Sequence, residues 1–156
     1  MGLKENLERD TVEKLELRAA ITLTAEQSIR DAIEAMRRGG LGCAIIVDDQ
    51  RHPTGIFTEA MLRNAIFHSP ECVDDQLSEH TAETFPWVVT SDPVETVLDA
   101  MEIKNHRFVV VVDESGAVVG LTGQKGLMEY VADHFSEEVM VQRVGAEAYP
   151  NHREGA

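Results

Sequence analysis

Thr54-Gly55-Ile56-Phe57-Thr58-Glu59-Ala60-Met61-Leu62 is the stretch that decides the fold. Thr54 to Phe57 are strand-type residues, and Gly55 leaves room for a close backbone approach. Thr58 is a natural N-cap, because its hydroxyl accepts a first-turn N–H. Met61, Leu62, Ala65 and Ile66 then recur at helical spacing. The reading is a buried strand running straight into a helix. Such a corner leaves amide donors free at the positive end of the helix dipole, which suits an anion.

Working outward, the corner recurs in altered form at residues 119–127. An offset of 65 relates Met36 to Met101, Asp48 to Asp113, Gly55 to Gly120 and Leu62 to Leu127. Upstream of the first corner, Ile21 to Thr24 reads as a strand. Ser28 caps a helix with Ile29, Ala32, Ile33 and Met36 on one side, and Gly39-Gly40 ends it. Cys43 to Val47 is an apolar run suited to a strand covered on both faces. Residues 48–53 form a turn. In the second half, Trp87 to Thr90, a helix led by Pro93, the strand Phe108 to Val112, the turn Asp113 to Gly116 and the strand from Val118 repeat the plan. One such unit has too little core to stand alone. Two related units imply a pseudo-twofold axis, with ligand clefts between the halves.

The expected fold class is α/β (α+β), with two pseudo-twofold-related repeats, each a small sheet with two helices. The expected boundaries are 11–67 for the first repeat, 68–84 for a linker and lead-in to the second, and 85–140 for the second repeat. Residues 1–10 and 145–156 are expected to be flexible termini.

Composition narrows the function. The net charge is −14, from 28 acidic and 14 basic residues, which disfavours nucleic acid and acidic membranes as partners. Aromatic residues are only 5% against 43% hydrophobic overall, so the core must be aliphatic. Cys43 reads as a small core residue and Cys72 as part of a polar linker; no disulfide framework or metal-ligand spacing is visible. The start is too charged for a signal peptide, the Met1-Gly2 context does not fit myristoylation, and no apolar run reaches membrane length. The expected location is the cytoplasm. No nucleophile, acid–base pair or metal site stands out, so no enzyme and no cofactor are expected.

Taken together, these features resemble a tandem pair of CBS domains (cystathionine-beta-synthase type), also called a Bateman module. The resemblance rests on residues 28–36, 42–48 and 55–59, and again on 92–101, 109–113 and the Gly116…Gly120 strand. Residues 130–139 are similar to the ending of small stand-alone bacterial CBS-pair proteins. The resemblance implies a regulatory homodimer that binds AMP, ADP, ATP or S-adenosylmethionine between its repeats and passes the change to a protein effector. It also implies a site motif of Gly, two apolar residues, Ser or Thr, two residues, then Asp, in which the hydroxyl holds phosphate and the Asp grips ribose. In this sequence Ala60 and Met61 fill the basic and Asp positions of the first half. In the second, Gly123 takes the hydroxyl position with Thr122 one residue early, Lys125 is the basic residue, and Gly126 replaces Asp. Each missing carboxylate is worth on the order of 1.5–3 kcal/mol, roughly tenfold or more in affinity.

The candidate ligand residues are therefore Thr24, Gly55, Ile56, Thr58, Thr90, His106, Arg107, Gly120, Thr122 and Lys125. Six of them also have a plain structural role. Thr58 caps a helix, Lys125 is a solvated charge, His106-Arg107 is a basic loop tip, and Thr24 and Thr90 end strands. Two functions stand side by side: an adenine-nucleotide sensor, or a ligand-free dimerisation or adaptor module with degenerate sites.

Overall fold

The computed structural model describes residues 2–104 and 107–145. Helix α1 (Leu3–Arg9) precedes strand β1 (Thr22–Leu23), helix α2 (Ile29–Gly39), strands β2 (Cys43–Val47) and β3 (Pro53–Thr58) and helix α3 (Glu59–His68). The second series is β4 (Trp87–Val89), α4 (Val94–Lys104), β5 (Phe108–Val112), β6 (Val118–Gly123) and α5 (Gln124–Gly145). Each sheet has three strands: the first two pair parallel and the last two antiparallel. The final helix runs to Gly145, and the rest of the expected tail, 146–156, lies outside the described residues.

Local chemistry accounts for these elements. Ser28 Oγ accepts from Asp31 N, Asp31 returns a bond to Ser28 N, and Gly40 at φ 66° closes α2. Asp48 Oδ1 accepts from the amides of Gln50 and His52, and Asp113 Oδ1 from those of Ser115 and Ala117. The two turns are thus built alike. Both antiparallel pairs also shift register at the same offset, between Ile46 and Val47 and between Val111 and Val112.

Alternation along the strands divides the core into three. Ala44, Ile46 and Phe57 face α2 and α3, whereas Val109 and Val111 face the second helical layer. Between the sheets, Ile45, Val47 and Ile56 meet Val110, Val112 and Leu121. The order of layers is therefore helices, sheet, sheet, helices.

The repeats exchange arms. Arg18 and Leu121 exchange two backbone hydrogen bonds, so the segment leading into the first repeat lies on the second repeat's sheet. Ile56 and Ala82 do the same in reverse. Leu77, fully buried in the first repeat's core, is the counterpart of Val12, fully buried in the second's. The expectation of a polar linker around Cys72 needs correction: Cys72 and Leu77 are both core residues, although charged neighbours surround them in sequence.

The chain start is docked through its polar groups. Asn6 Nδ2 lies 2.7 Å from His134 Nδ1. Asp10 accepts from Lys14 Nζ at 2.8 Å and from the Tyr130 hydroxyl at 2.6 Å. The Lys14 bond, then the Tyr130 bond, hold the Asp10 carboxyl below its ordinary value. A depressed carboxylate contributes stability that is complete above its unfolded-state value and drains as pH falls through the folded value. Asp10→Asn should therefore be less stable than the parent at neutral pH, with the gap closing below about pH 4. Thermal melts across that range check this, and a gap that does not change with pH would refute it.

Candidate functional site

The second corner forms an open cleft. A volume of about 250 Å³ lies between the Glu16–Arg18 arm, the start of β5 and the β6–α5 junction. Arg107, Thr122 and Lys125 all line it, as does the first turn of α5, Gln124 to Gly126. The positive end of a 22-residue helix thus borders the cleft. Arg18, Arg107 and Lys125 supply cationic groups, and Glu16 and Glu129 supply anionic ones.

Thr122 is the unusual member. It is only 4% exposed, and its Oγ1 has no hydrogen-bond partner among the described residues. Leaving a buried hydroxyl unpaired costs about 1–3 kcal/mol. The neighbouring glycines explain how the wall is built. A Cβ on Gly126 would lie 2.8 Å from Thr122 Oγ1, so the glycine leaves the hydroxyl its space. A Cβ on Gly123 would overlap the Arg107 carbonyl oxygen, which accounts for the absence of Ser or Thr there.

The other candidates lie elsewhere. Gly120 and Gly55 allow the exchanged arms to dock: added Cβ atoms would meet Arg18 O at 2.9 Å and Ala82 O at 3.1 Å. Ile56 belongs to the shared core and pairs with Ala82. Thr58 caps α3 by accepting from Met61 N at 3.2 Å, and Met61 itself packs against the first repeat's core. Thr24 N–H donates to Gln27 Oε1 at the start of α2. Thr90 N–H donates to Val112 O, and its carbonyl accepts from Glu13 N. None of these six residues lines the second cleft. His106 lies outside the described residues.

Glu16, Arg18 and Glu129 are cleft residues that the motif does not mark. Glu129 follows Gly126 by three positions, so the helical period puts the two on one face. Glu16 and Arg18 reach the cleft only because the arms are exchanged. The thiol of Cys43 is pushed up to about 11 by burial, which makes it a neutral core group. Folding also gathers one donor atom each from Asp75, Glu79 and His80 within 4.8 Å, with His80 Nε2 2.8 Å from Asp75 Oδ2. No described helix is long and apolar enough to cross a membrane.

Comparison with known proteins agrees with the two-repeat fold. The sequence matches the CBS domain family over residues 12–68 and 79–133. No curated protein matches the chain. Among solved structures, it is similar to protein MJ1004 from Mathanocaldococcus jannaschii, with 17% identity and TM-score 0.71, over 80% of this chain and 60% of that one. It is similar to the CBS domain protein PAE2072 from Pyrobaculum aerophilum complexed with AMP, with 21% identity and TM-score 0.67, over 79% of this chain and 99% of that one. It is also similar to the CBS domain pair of protein MJ0100 in complex with 5-methylthioadenosine and S-adenosyl-L-methionine, with 20% identity and TM-score 0.68, over 80% and 98%. With both repeats matched and their folds alike, the chain belongs to the CBS domain family, as a tandem pair.

Proposed function

We propose that this CBS pair is a non-catalytic regulatory module that senses an adenosine-containing anion in its second cleft. The observation that carries the reading is the buried, unpartnered Thr122 hydroxyl in a cleft bordered by a helix N-terminus and three cationic side chains. A phosphate or carboxylate oxygen would pair that hydroxyl once a small shift of the Gly126 wall opens it to the cleft, and Arg107 and Lys125 would neutralise the ligand's charge. Glu129, half-buried and one turn along from Gly126, is the carboxylate available to accept ribose hydroxyls. Two proteins of the same fold were solved with AMP and with S-adenosyl-L-methionine, which supports the ligand class. Binding would favour one arrangement of the arms and repeats, and a protein effector would read the altered surface. Two free, buried thiols fit work in a reducing cytoplasm.

The adaptor reading fits the first corner better. There the Thr58 hydroxyl is engaged as a cap, and Met61 packs against core where the family places a carboxylate. One sensing cleft and one structural corner is therefore the division we favour.

The test is calorimetric titration with AMP, ADP, ATP and S-adenosylmethionine, run on the parent and on Thr122→Val. At about 100 times its dissociation constant, a true ligand adds about 2.7 kcal/mol to stability. Thr122→Val should lose roughly tenfold or more in affinity. It should keep or raise the ligand-free melting temperature, because it removes an unpaired buried hydroxyl. Absence of heat and of a melting shift with all four ligands would leave the adaptor reading for both corners.

A further inference from the structure

We infer that the arm leading out of the first repeat carries a site for a divalent transition-metal ion, formed by Asp75, Glu79 and His80. At the offset of 65 this arm and the one at the chain start are built alike, bond for bond. Ile29 N donates to Asp75 O as Val94 N donates to Asp10 O. Leu77 N donates to Gln27 O as Val12 N donates to Asp92 O, and Ser78 N to Ala25 O as Glu13 N to Thr90 O. Each arm makes one short helical turn, Leu77–Glu79 in one and Val12–Lys14 in the other. Asp75 therefore stands where Asp10 stands, Glu79 where Lys14 stands, and His80 where Leu15 stands.

In the arm at the chain start this place holds a cation, for Lys14 Nζ lies 2.8 Å from Asp10 Oδ1. In the other arm a carboxylate replaces the lysine, so two anions meet where an anion and a cation met. The fold does not return the missing charge. Among the described residues no Lys or Arg pairs with Asp75 or Glu79, and Arg30 is taken up by Asp74. The Glu79 carboxylate has no hydrogen bond or ion pair among them either. An imidazole converges on the pair instead: His80 Nε2 is 2.8 Å from Asp75 Oδ2, and one donor atom from each of the three residues lies within 4.8 Å of the others.

One imidazole nitrogen and two carboxylate oxygens suit Zn²⁺ or a neighbouring transition ion. Mg²⁺ prefers oxygen donors alone and gives up its water reluctantly. Donors bound at about 2.0–2.2 Å stand about 3–4 Å apart, so the exposed Glu79 side chain closes the site by a small turn. The ion takes the place of the proton that His80 and Asp75 share. The scaffold is fixed beforehand, because Leu77 is fully buried between the ligands in sequence and the amides of Asp75, Leu77, Ser78, Glu79 and His80 are all bonded. Two residues beyond His80, Ala82 exchanges backbone bonds with Ile56 on β3. A bound ion thus braces the crossing of this arm over the first sheet.

Titration calorimetry and thermal melts of the metal-stripped full chain with ZnCl₂, and separately with MgCl₂, test this without any nucleotide. The parent should take up one Zn²⁺ per chain and melt higher with it, and should respond to Mg²⁺ far less. His80→Asn should weaken Zn²⁺ uptake by roughly tenfold or more. Glu79→Lys, which copies Lys14, should abolish uptake, yet its metal-free melting temperature should equal or exceed the parent's. That variant therefore separates loss of the site from loss of the fold. Thr122→Val should bind Zn²⁺ as the parent does, so failure of the nucleotide reading leaves this result standing. No Zn²⁺ uptake by the parent would overturn the inference. So would uptake that survives His80→Asn and Glu79→Lys unchanged, or that is lost instead with His52→Asn.

Discussion

Leu77→Ala should cost about 2–5 kcal/mol of unfolding free energy, read from the midpoint of urea denaturation. Leu77 is fully buried and packs in the cluster that contains Ile29, Phe57 and Cys72. Its amide donates to Gln27 O and the Ser78 amide to Ala25 O, so the backbone around it is fixed and cannot collapse into the void. The full cavity cost therefore applies. A loss under about 1 kcal/mol would mean that this segment behaves as a surface linker after all.

The second large effect is Gly123→Ser, which restores the hydroxyl where the family motif places it. It should destabilise the chain by about 3 kcal/mol, the upper end of overpacking costs, rather than improve ligand binding. The atom that the new Cβ would overlap is the Arg107 carbonyl oxygen, which is backbone immediately before β5, beside the Phe108–Gly123 pair, and not the far end of a flexible side chain. Thermal unfolding and titration of the variant measure the two consequences separately. A variant as stable as the parent that binds nucleotide more tightly would show that position 123 is the true hydroxyl site and Thr122 is not.

Much of this fold is legible in the sequence because local signals agree with one another. Ser28 and Gly40 bracket α2, Thr58 marks the start of α3, and Asp48 and Asp113 announce equivalent turns. The repeat is legible because Gly55 and Gly120 share one task, admitting a crossing backbone. The arms are harder to read. Leu77 sits alone among Asp, Gln, Ser and Glu, and nothing local distinguishes it from a solvated loop residue. Only its pairing with Val12 at the repeat offset gives it away. At the cleft, Thr122 and Lys125 follow from the motif's position and Arg107 from its place before the buried strand, whereas Glu16 and Arg18 follow only from an exchange made in three dimensions. That the Thr122 hydroxyl is orphaned is a property of packing, and no spacing of residues reveals it.

In the proposed sensing role, the exchange of arms decides how occupancy of the cleft would spread. The strip of chain from Glu16 to Arg18 touches whatever fills the cleft, lies along β6, and continues within a few residues into β1. A molecule that shifts this strip pulls, through covalent bonds alone, on the half of the protein it does not touch. The halves need no hinge to share a message, because each one holds the other's leash.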